Sequence, residues 1–335
     1  MKIAVYTICK NEEAFVDRWL DSVKGADYIL VVDTGSTDST IQKFKNRSDI
    51  LVDIKEVSVV PFRFDVARNY SLFSLPPDID VCICLDMDEI LVEGWRGVIE
   101  EEWEVDLDRL RYNYIWSWNE DNTPGLTYYA DKIHSRHGLR WKHPVHEVLV
   151  QDGRLGDEVQ KFIDETLIEH HADNSKPRSQ YLHLLKLAVD EDHLDDRNAH
   201  YYARELLMYG RYQEAVAEFT RHLSLPRAKW KPERAASYRY LGDCYWALGD
   251  ITSAIESFDE AIIEAPNERE AYVSMAQVYR HLEEWELVIF YCEKALAITE
   301  RPNTYINTQV AWSDWPNQML NEAKIQVLIE KEATG

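Results

Sequence analysis

Positive charge is what this sequence has least of. Thirty-seven lysines and arginines stand against 60 aspartates and glutamates, a net charge of −23 over 335 residues. Residues 1–175 hold 19 basic and 34 acidic side chains and residues 176–335 hold 18 and 26, giving −15 and −8. Phosphate backbones need a basic face, so neither half reads as a nucleic-acid clamp. Long apolar runs are also missing: no stretch approaches the roughly 20 residues of a membrane span. The opening "MKIAVYTICKNEE" turns charged after Cys9 and lacks a small-residue cleavage site. It reads as a first strand rather than a leader, which points to the cytoplasm. Cysteine is sparse. Cys9, Cys82, Cys84, Cys244 and Cys292 are odd in number and sit in apolar segments, as small buried hydrophobes do. Cys82 and Cys84 would share one strand face, but no second pair exists to complete a zinc site.

What is present begins as an alternation. "KIAVYT", "DYILVVD", "ILVDI" and "VCIC" read as strands. Between them "EEAFVDRWLDSV" places Phe15, Val16, Trp19, Leu20 and Val23 on one helical face, "STDSTIQKFKN" offers Ser and Thr caps to a short helix, and "DVARNYSLF" reads as a third. Alternating βαβα implies a parallel sheet, and ligands of such sheets bind beyond the carboxyl ends of the strands. From about 105 to 170 the pattern changes to aromatic-rich strand candidates, "LRYNYIWSWN" and "LTYYADKIHSR". No long helix is expected there.

After about residue 176 the chain reads as helical and repeats itself. At an offset of 34, Tyr238 aligns with Tyr272, Gly242 with Ala276, Tyr245 with Tyr279 and Ala261 with Ala295. A 34-residue period with small residues at close-packing positions is the tetratricopeptide pattern. Repeats are expected near 198–226, 235–268 and 269–302, with a terminal helix over 316–331. They would either support the first domain or form a concave docking surface for a protein partner or a second copy.

The most unusual stretch is "VCICLDMDEIL", in which an apolar strand runs into Asp86, Asp88 and Glu89. Three explanations compete. The acids are merely solvated, or they cap a following helix, or Asp86 and Asp88 bear on one cation. Hard divalent ions take one or two such carboxylates together with phosphate oxygens. "ILVEGWRG" does not read as a helix, which weakens the second.

The ordered set "TICKNEE", "VVDTGSTDST", "FDVARN", "LDMDEIL" and "HPVHEVL" resembles a family 2 glycosyltransferase of GT-A fold, in the subgroup with a tetratricopeptide tail. The resemblance implies an α/β domain with a Rossmann-like mixed sheet over 1–175 and an all-α repeat domain over 176–335. It implies transfer of a sugar, usually with inversion, from a nucleotide-diphosphate donor (UDP favoured) to a glycan, peptide or protein acceptor. The expected cofactor is Mn²⁺ or Mg²⁺. Thr7, Asn11 and Glu13 would flank the nucleotide base and Asp33 the base or ribose, despite Thr34 replacing the commoner second aspartate. Arg68 and Asn69 would reach the donor. Asp86 would face ribose or sugar, and Asp88 would ligate the metal.

An inverting transfer needs a base for the acceptor proton. Glu147 of "HPVHEVL" is the candidate, with His146 orienting it or approaching the donor phosphates. His170 or His171 would complete the metal site; His170 is favoured, and an imidazole ligand favours Mn²⁺. Trp116, Trp118, Tyr128 and Tyr129 would form an acceptor wall or pack in the core, while Lys132 and Arg136 would either meet phosphate or, as is expected first, lie on a solvated face. Two rivals stand beside this reading. A nucleotidyltransferase would need a glycine- and base-rich triphosphate loop, and "TICKNEE" has no glycine. A catalytically inactive repeat scaffold would lack donor binding.

Overall fold

The structure is a computed structural model that describes residues 1–153, 156–172 and 181–334. The chain divides into two compact units, Met1–Arg178 and Ser179–Gly335. The boundary expected at 175/176 falls outside the described residues.

The first unit is built on an eight-stranded mixed sheet of order β3-β2-β1-β4-β7-β6-β10-β5. β1 (Ile3–Cys9), β2 (Tyr28–Asp33), β3 (Asp53–Glu56) and β4 (Val81–Cys84) run parallel. They are linked by α1 (Val16–Ser22), α2 (Thr40–Asn46) and α3 (Phe64–Ser74). The alternation of β1 decides its packing. Ile3 and Val5 face a core shared with Trp19 and Leu20 of α1, whereas Ala4 and Tyr6 face a second core shared with Leu72 of α3. Both faces are covered, as a parallel sheet requires. On the second face lies a hairpin of β8 (Leu139–Lys142) and β9 (Val148–Gln151), anchored where Trp141 Nε1 donates to the Tyr6 hydroxyl at 2.7 Å.

The aromatic-rich region supplies β6 (Arg109–Ile115), β7 (Thr127–Ser135) and β10 (Gln160–His170). Two expectations need correction. A helix, α4 (Trp95–Glu102), does follow the acids; it buries Trp95 and Ile99, and neither Asp88 nor Glu89 caps it, because its N-cap is Gly94. Glu89 does not sit at the tip of β4 either. It opens β5 (Glu89–Leu91), which pairs with β10 at the far margin of the sheet. The link 85–88 therefore passes the ends of β7, β6 and β10, and that path assembles the site described below.

The second unit is helical. α5 (Tyr181–Glu191) precedes three antiparallel pairs: α6 (Asp196–Met208) with α7 (Tyr212–Ser224), α8 (Lys231–Ala247) with α9 (Ile251–Glu264), and α10 (Arg269–His281) with α11 (Trp285–Ala297). α12 (Gln309–Trp312) is a single turn, and α13 (Trp315–Thr334) packs Met319 and Ala323 against the last pair. Repeat positions trade volume. Gly242 of α8 lies so close to α9 that a Cβ there would sit 2.6 Å from the Phe258 ring. One repeat later the same two positions hold Ala276 and Cys292, both buried in one cluster. A larger residue on one helix is matched by a smaller one on its neighbour, as close packing demands.

Candidate active site

Asn11, Asp33 and Asp86 follow or end β1, β2 and β4, at the carboxyl edge of the parallel strands. The sequence orders this edge through local loops. Asp33, at the end of β2, accepts from the backbone N–H of Gly35 (3.1 Å) and Ser36 (3.0 Å) and is 5 % exposed. It thus shapes its own turn. Asn11, with φ +58°, accepts from Thr37 N at 2.7 Å, and Glu13 accepts from Ser39 N at 2.9 Å. These two residues tie the loop after β1 to the loop after β2. Thr7 is buried inside β1, with its hydroxyl on Ile8 O at 3.2 Å. Asn69 clamps the β8 backbone at both of its amide atoms, donating to Trp141 O and accepting from Trp141 N, each at 2.8 Å.

A charge cluster occupies the centre. Arg68 of α3, 7 % exposed, pairs with Asp86 at 2.7 Å and with Glu147, and its guanidinium lies 5.3 Å from the centre of the Trp141 ring. Lys132 of β7 pairs with Asp86 at 2.6 Å and Glu89 at 2.5 Å. Glu89, 1 % exposed, also accepts from the Tyr114 hydroxyl of β6 (2.5 Å) and from Asp86 N (2.8 Å). Burial pushes the Asp86 carboxyl upward, but Arg68 and then Lys132 outweigh it and hold it below the usual carboxylate range. Glu89 goes the other way: burial raises it beyond what Lys132 reverses, and Asp86 and Asp88 add to the rise. Two cations thus face three buried or half-buried carboxylates, each with a named partner.

Asp88 is set apart from that cluster. Its Oδ2 lies 3.3 Å from His170 Nε2 at the end of β10. His170 Nδ1 bonds Trp116 O at 2.9 Å, so the ring is oriented with its other nitrogen toward Asp88. Burial lowers the His170 pKa, but the Asp88 carboxylate more than restores it and the net direction is upward. The Trp116 ring stacks on His170 at 4.5 Å and 22°, and Trp118 stacks on His171 at 5.7 Å and 19°. His171 turns toward Glu169 at 3.4 Å rather than toward Asp88.

The structure therefore brings Asp86, Arg68 and Glu147 into one network and Asp88 and His170 into a separate pair. His143 and His146 lie in the β8–β9 turn with φ +85° and +50°, a conformation non-glycine residues rarely adopt. His146 is half-buried beside Glu147. Lys132 and Arg136 are not on a solvated face. Lys132 bridges Asp86 and Glu89, and Arg136, 8 % exposed, donates to Leu75 O at 2.8 Å just past the end of α3. Sequence reasoning missed Lys132 because its partner Glu89 was assigned to β4. The available signal was a lone lysine inside an aromatic strand of an acid-rich chain.

The donor set of a carboxylate oxygen and an imidazole nitrogen suits a borderline cation with its other positions filled by oxygens. Among the described residues no group of three or more His, Cys, Asp or Glu side chains is placed to hold a metal by itself.

Over residues 235–268 the chain matches the tetratricopeptide repeat family. Among characterised proteins it is similar to the lipopolysaccharide core biosynthesis glycosyltransferase LpsC of Rhizobium meliloti (strain 1021), with 25 % identity over 174 residues, 47 % of this chain and 60 % of that relative. The chain thus spans 60 % of the length of the curated relative it matches. Solved structures with some likeness include the APC/C hetero-tetramer Cut9–Hcn1 (22 % identity, TM-score 0.35, covering 42 % of this chain and 26 % of that one). MamA follows at 18 % identity and TM-score 0.32, over 45 % of this chain and 81 % of that one. The Sgt2 domain from Aspergillus fumigatus gives 16 % and 0.33, over 42 % and 83 %. The chain carries a tetratricopeptide repeat over residues 235–268. Among the described residues no helix is long and apolar enough to cross a membrane.

Proposed function

We propose that the first unit is a metal-dependent, inverting family 2 glycosyltransferase of GT-A fold that uses a nucleotide-diphosphate sugar, with UDP as the favoured carrier. The observation that carries the reading is the Asp88–His170 pair: two ligand-type atoms, one from the 85–88 link and one from the end of β10, 3.3 Å apart, with the imidazole oriented by a backbone carbonyl. A cation there would be held by two protein atoms and completed by the donor diphosphate, which explains why no third side chain is needed. The cation supplies charge neutralisation at the departing diphosphate.

The remaining roles belong to the chain itself. Asp86 is kept ionised by Arg68 and Lys132 and presents fixed negative charge toward ribose or sugar. Glu147 takes the acceptor proton, with Arg68 fixing its orientation through Oε1. The acceptor is a glycan, peptide or protein, and the half-exposed Trp116 and Trp118 beside the histidines offer ring faces to a sugar. Thermal shift with UDP, GDP, CDP and ADP, each with Mn²⁺, Mg²⁺ or EDTA, tests the reading. A ligand at 100 times its dissociation constant adds about 2.7 kcal/mol to the native state. One nucleotide diphosphate is expected to stabilise the protein only with metal, and UDP is the favoured one. A shift with triphosphates alone would move the assignment to nucleotidyl transfer, and no shift with any nucleotide would leave the repeats as the functional part.

A further inference from the structure

Glu89 is a carboxylate where the fold has room for an apolar residue. It opens β5 and is buried there together with Leu91. Burying a carboxylate is unfavourable unless its oxygens are met, and here both are, from three separate elements. Oε1 accepts from the Tyr114 hydroxyl of β6 and from Lys132 of β7, each at 2.5 Å. Oε2 accepts from the backbone N–H of Asp86 at 2.8 Å.

The last of these bonds closes a turn. Glu89 N donates back to Asp86 O at 3.0 Å, so the two residues are joined twice across Met87 and Asp88. Met87 is buried in the core that holds Trp19, whereas Asp88 stays half-buried. The backbone of Glu89 reaches the other side of the pair. Glu89 lies opposite His170 in the β5–β10 ladder, and His171 N donates to Asp88 O at 2.8 Å. Tyr114, held by the same carboxylate, stands two residues before Trp116, whose carbonyl orients the His170 ring. Both ligand-type atoms, Asp88 Oδ2 and His170 Nε2, are therefore supported through Glu89.

We propose that Glu89 is a positioning residue that sets the separation of Asp88 and His170 without itself taking the cation. Lys132 and Tyr114 act by holding Glu89. The role rests on the metal-dependent reading of the Asp88–His170 pair and adds to it the side chain that builds the pair. Groups behind a metal ligand fix its orientation, and losing one lowers metal affinity by roughly 10–100-fold.

The test is Glu89→Gln in the full chain. A carboxamide has one acceptor oxygen, so it can serve the turn or the Tyr114–Lys132 pair but not both. In metal-free protein, the amides of Asp86 and His171 are expected to exchange hydrogen at least about tenfold faster in the variant, while the rest of the β5–β10 ladder stays protected. With UDP present, the Mn²⁺ dissociation constant, read from the paramagnetic resonance signal of the free ion, is expected to rise at least about tenfold. Tyr114→Phe removes a single hydrogen bond, should give both changes at about threefold or more, and decides the matter if Glu89→Gln does not fold. Gly242→Ala, which strains the other unit, should leave both readouts unchanged; an equal loss of affinity there would make the effect one of stability and overturn the proposal. Unchanged exchange, or equal Mn²⁺ affinity in a folded variant beside a parent that binds, overturns the proposal alone. A parent that binds no Mn²⁺ with any nucleotide overturns the glycosyltransferase reading and the proposal with it.

Discussion

Asp86 and Asp88 stand two residues apart and live in opposite circumstances. Asp86 is met by two cations, Arg68 at 2.7 Å and Lys132 at 2.6 Å. Among the described residues, the side chain of Asp88 meets the imidazole of His170 at 3.3 Å. The first is a carboxylate whose charge the fold has already answered, and removing its partners should cost stability. The second is a carboxylate whose partner is itself a ligand-type nitrogen, and changing it should cost binding instead. The comparison teaches that a D-x-D sequence is not one site with two equal members.

The largest effect that would break this contrast comes from Arg68. Arg68→Met leaves Glu147 buried and Asp86 half-buried with one cation fewer, and should destabilise the protein by about 3–5 kcal/mol in urea unfolding. A change under ~1 kcal/mol would mean that the network is not structural. Acid titration sharpens the same point. His134, beneath the cluster on β7, is fully buried and its pKa is pushed down to about 4, chiefly by burial. A depressed histidine stabilises fully above its unfolded pKa near 6.5. That contribution, about 3 kcal/mol, is lost as pH falls from 6.5 toward 4, because the unfolded chain gains the proton first. Asp86, held low, gives up its own contribution only below its ordinary value of 3.8. Stability curves of the parent and His134→Gln should therefore differ in slope across pH 6.5–4, the parent losing stability more steeply as pH falls, and identical slopes throughout would exclude His134.

Next comes the second unit, whose packing serves as a control away from the charges. Gly242→Ala places a methyl against Phe258 and should cost about 1–3 kcal/mol by overpacking, with nucleotide binding unchanged. The smallest stability effect belongs to Asp88. Asp88→Asn should move the unfolding free energy by less than about 0.5 kcal/mol, since a half-exposed side chain loses little. It should nonetheless abolish metal-dependent nucleotide stabilisation. Equal destabilisation by the Asp88 and Arg68 changes would erase the distinction.

Much of this was legible in the residues. The first, second and fourth strands and three helices follow from apolar spacing, while the third strand runs over Asp53–Glu56, later than "ILVDI" suggested; the repeat period follows from Tyr238, Gly242 and their counterparts 34 residues on. The candidate residues were readable one by one, but their pairing was not. Arg68 and Glu147 lie 79 residues apart, and nothing local says that they meet. Lys132 was misread because β5 is three residues long and looks like the tail of β4. Only its pairing with β10 carries the chain across the sheet and past Lys132, Tyr114 and His170. The course of residues 302–308 was hidden for a related reason: a period shows where a repeat fails, not where the freed chain goes.

The most direct measurement is pulsed electron paramagnetic resonance of Mn²⁺ bound to the full chain with UDP, read for nitrogen coupling. The account predicts ¹⁴N modulation from a directly bound imidazole in the parent, its loss in His170→Ala, and loss of bound Mn²⁺ in Asp88→Asn. Nitrogen coupling that survives His170→Ala, or Mn²⁺ that binds equally well in Asp88→Asn, would contradict it.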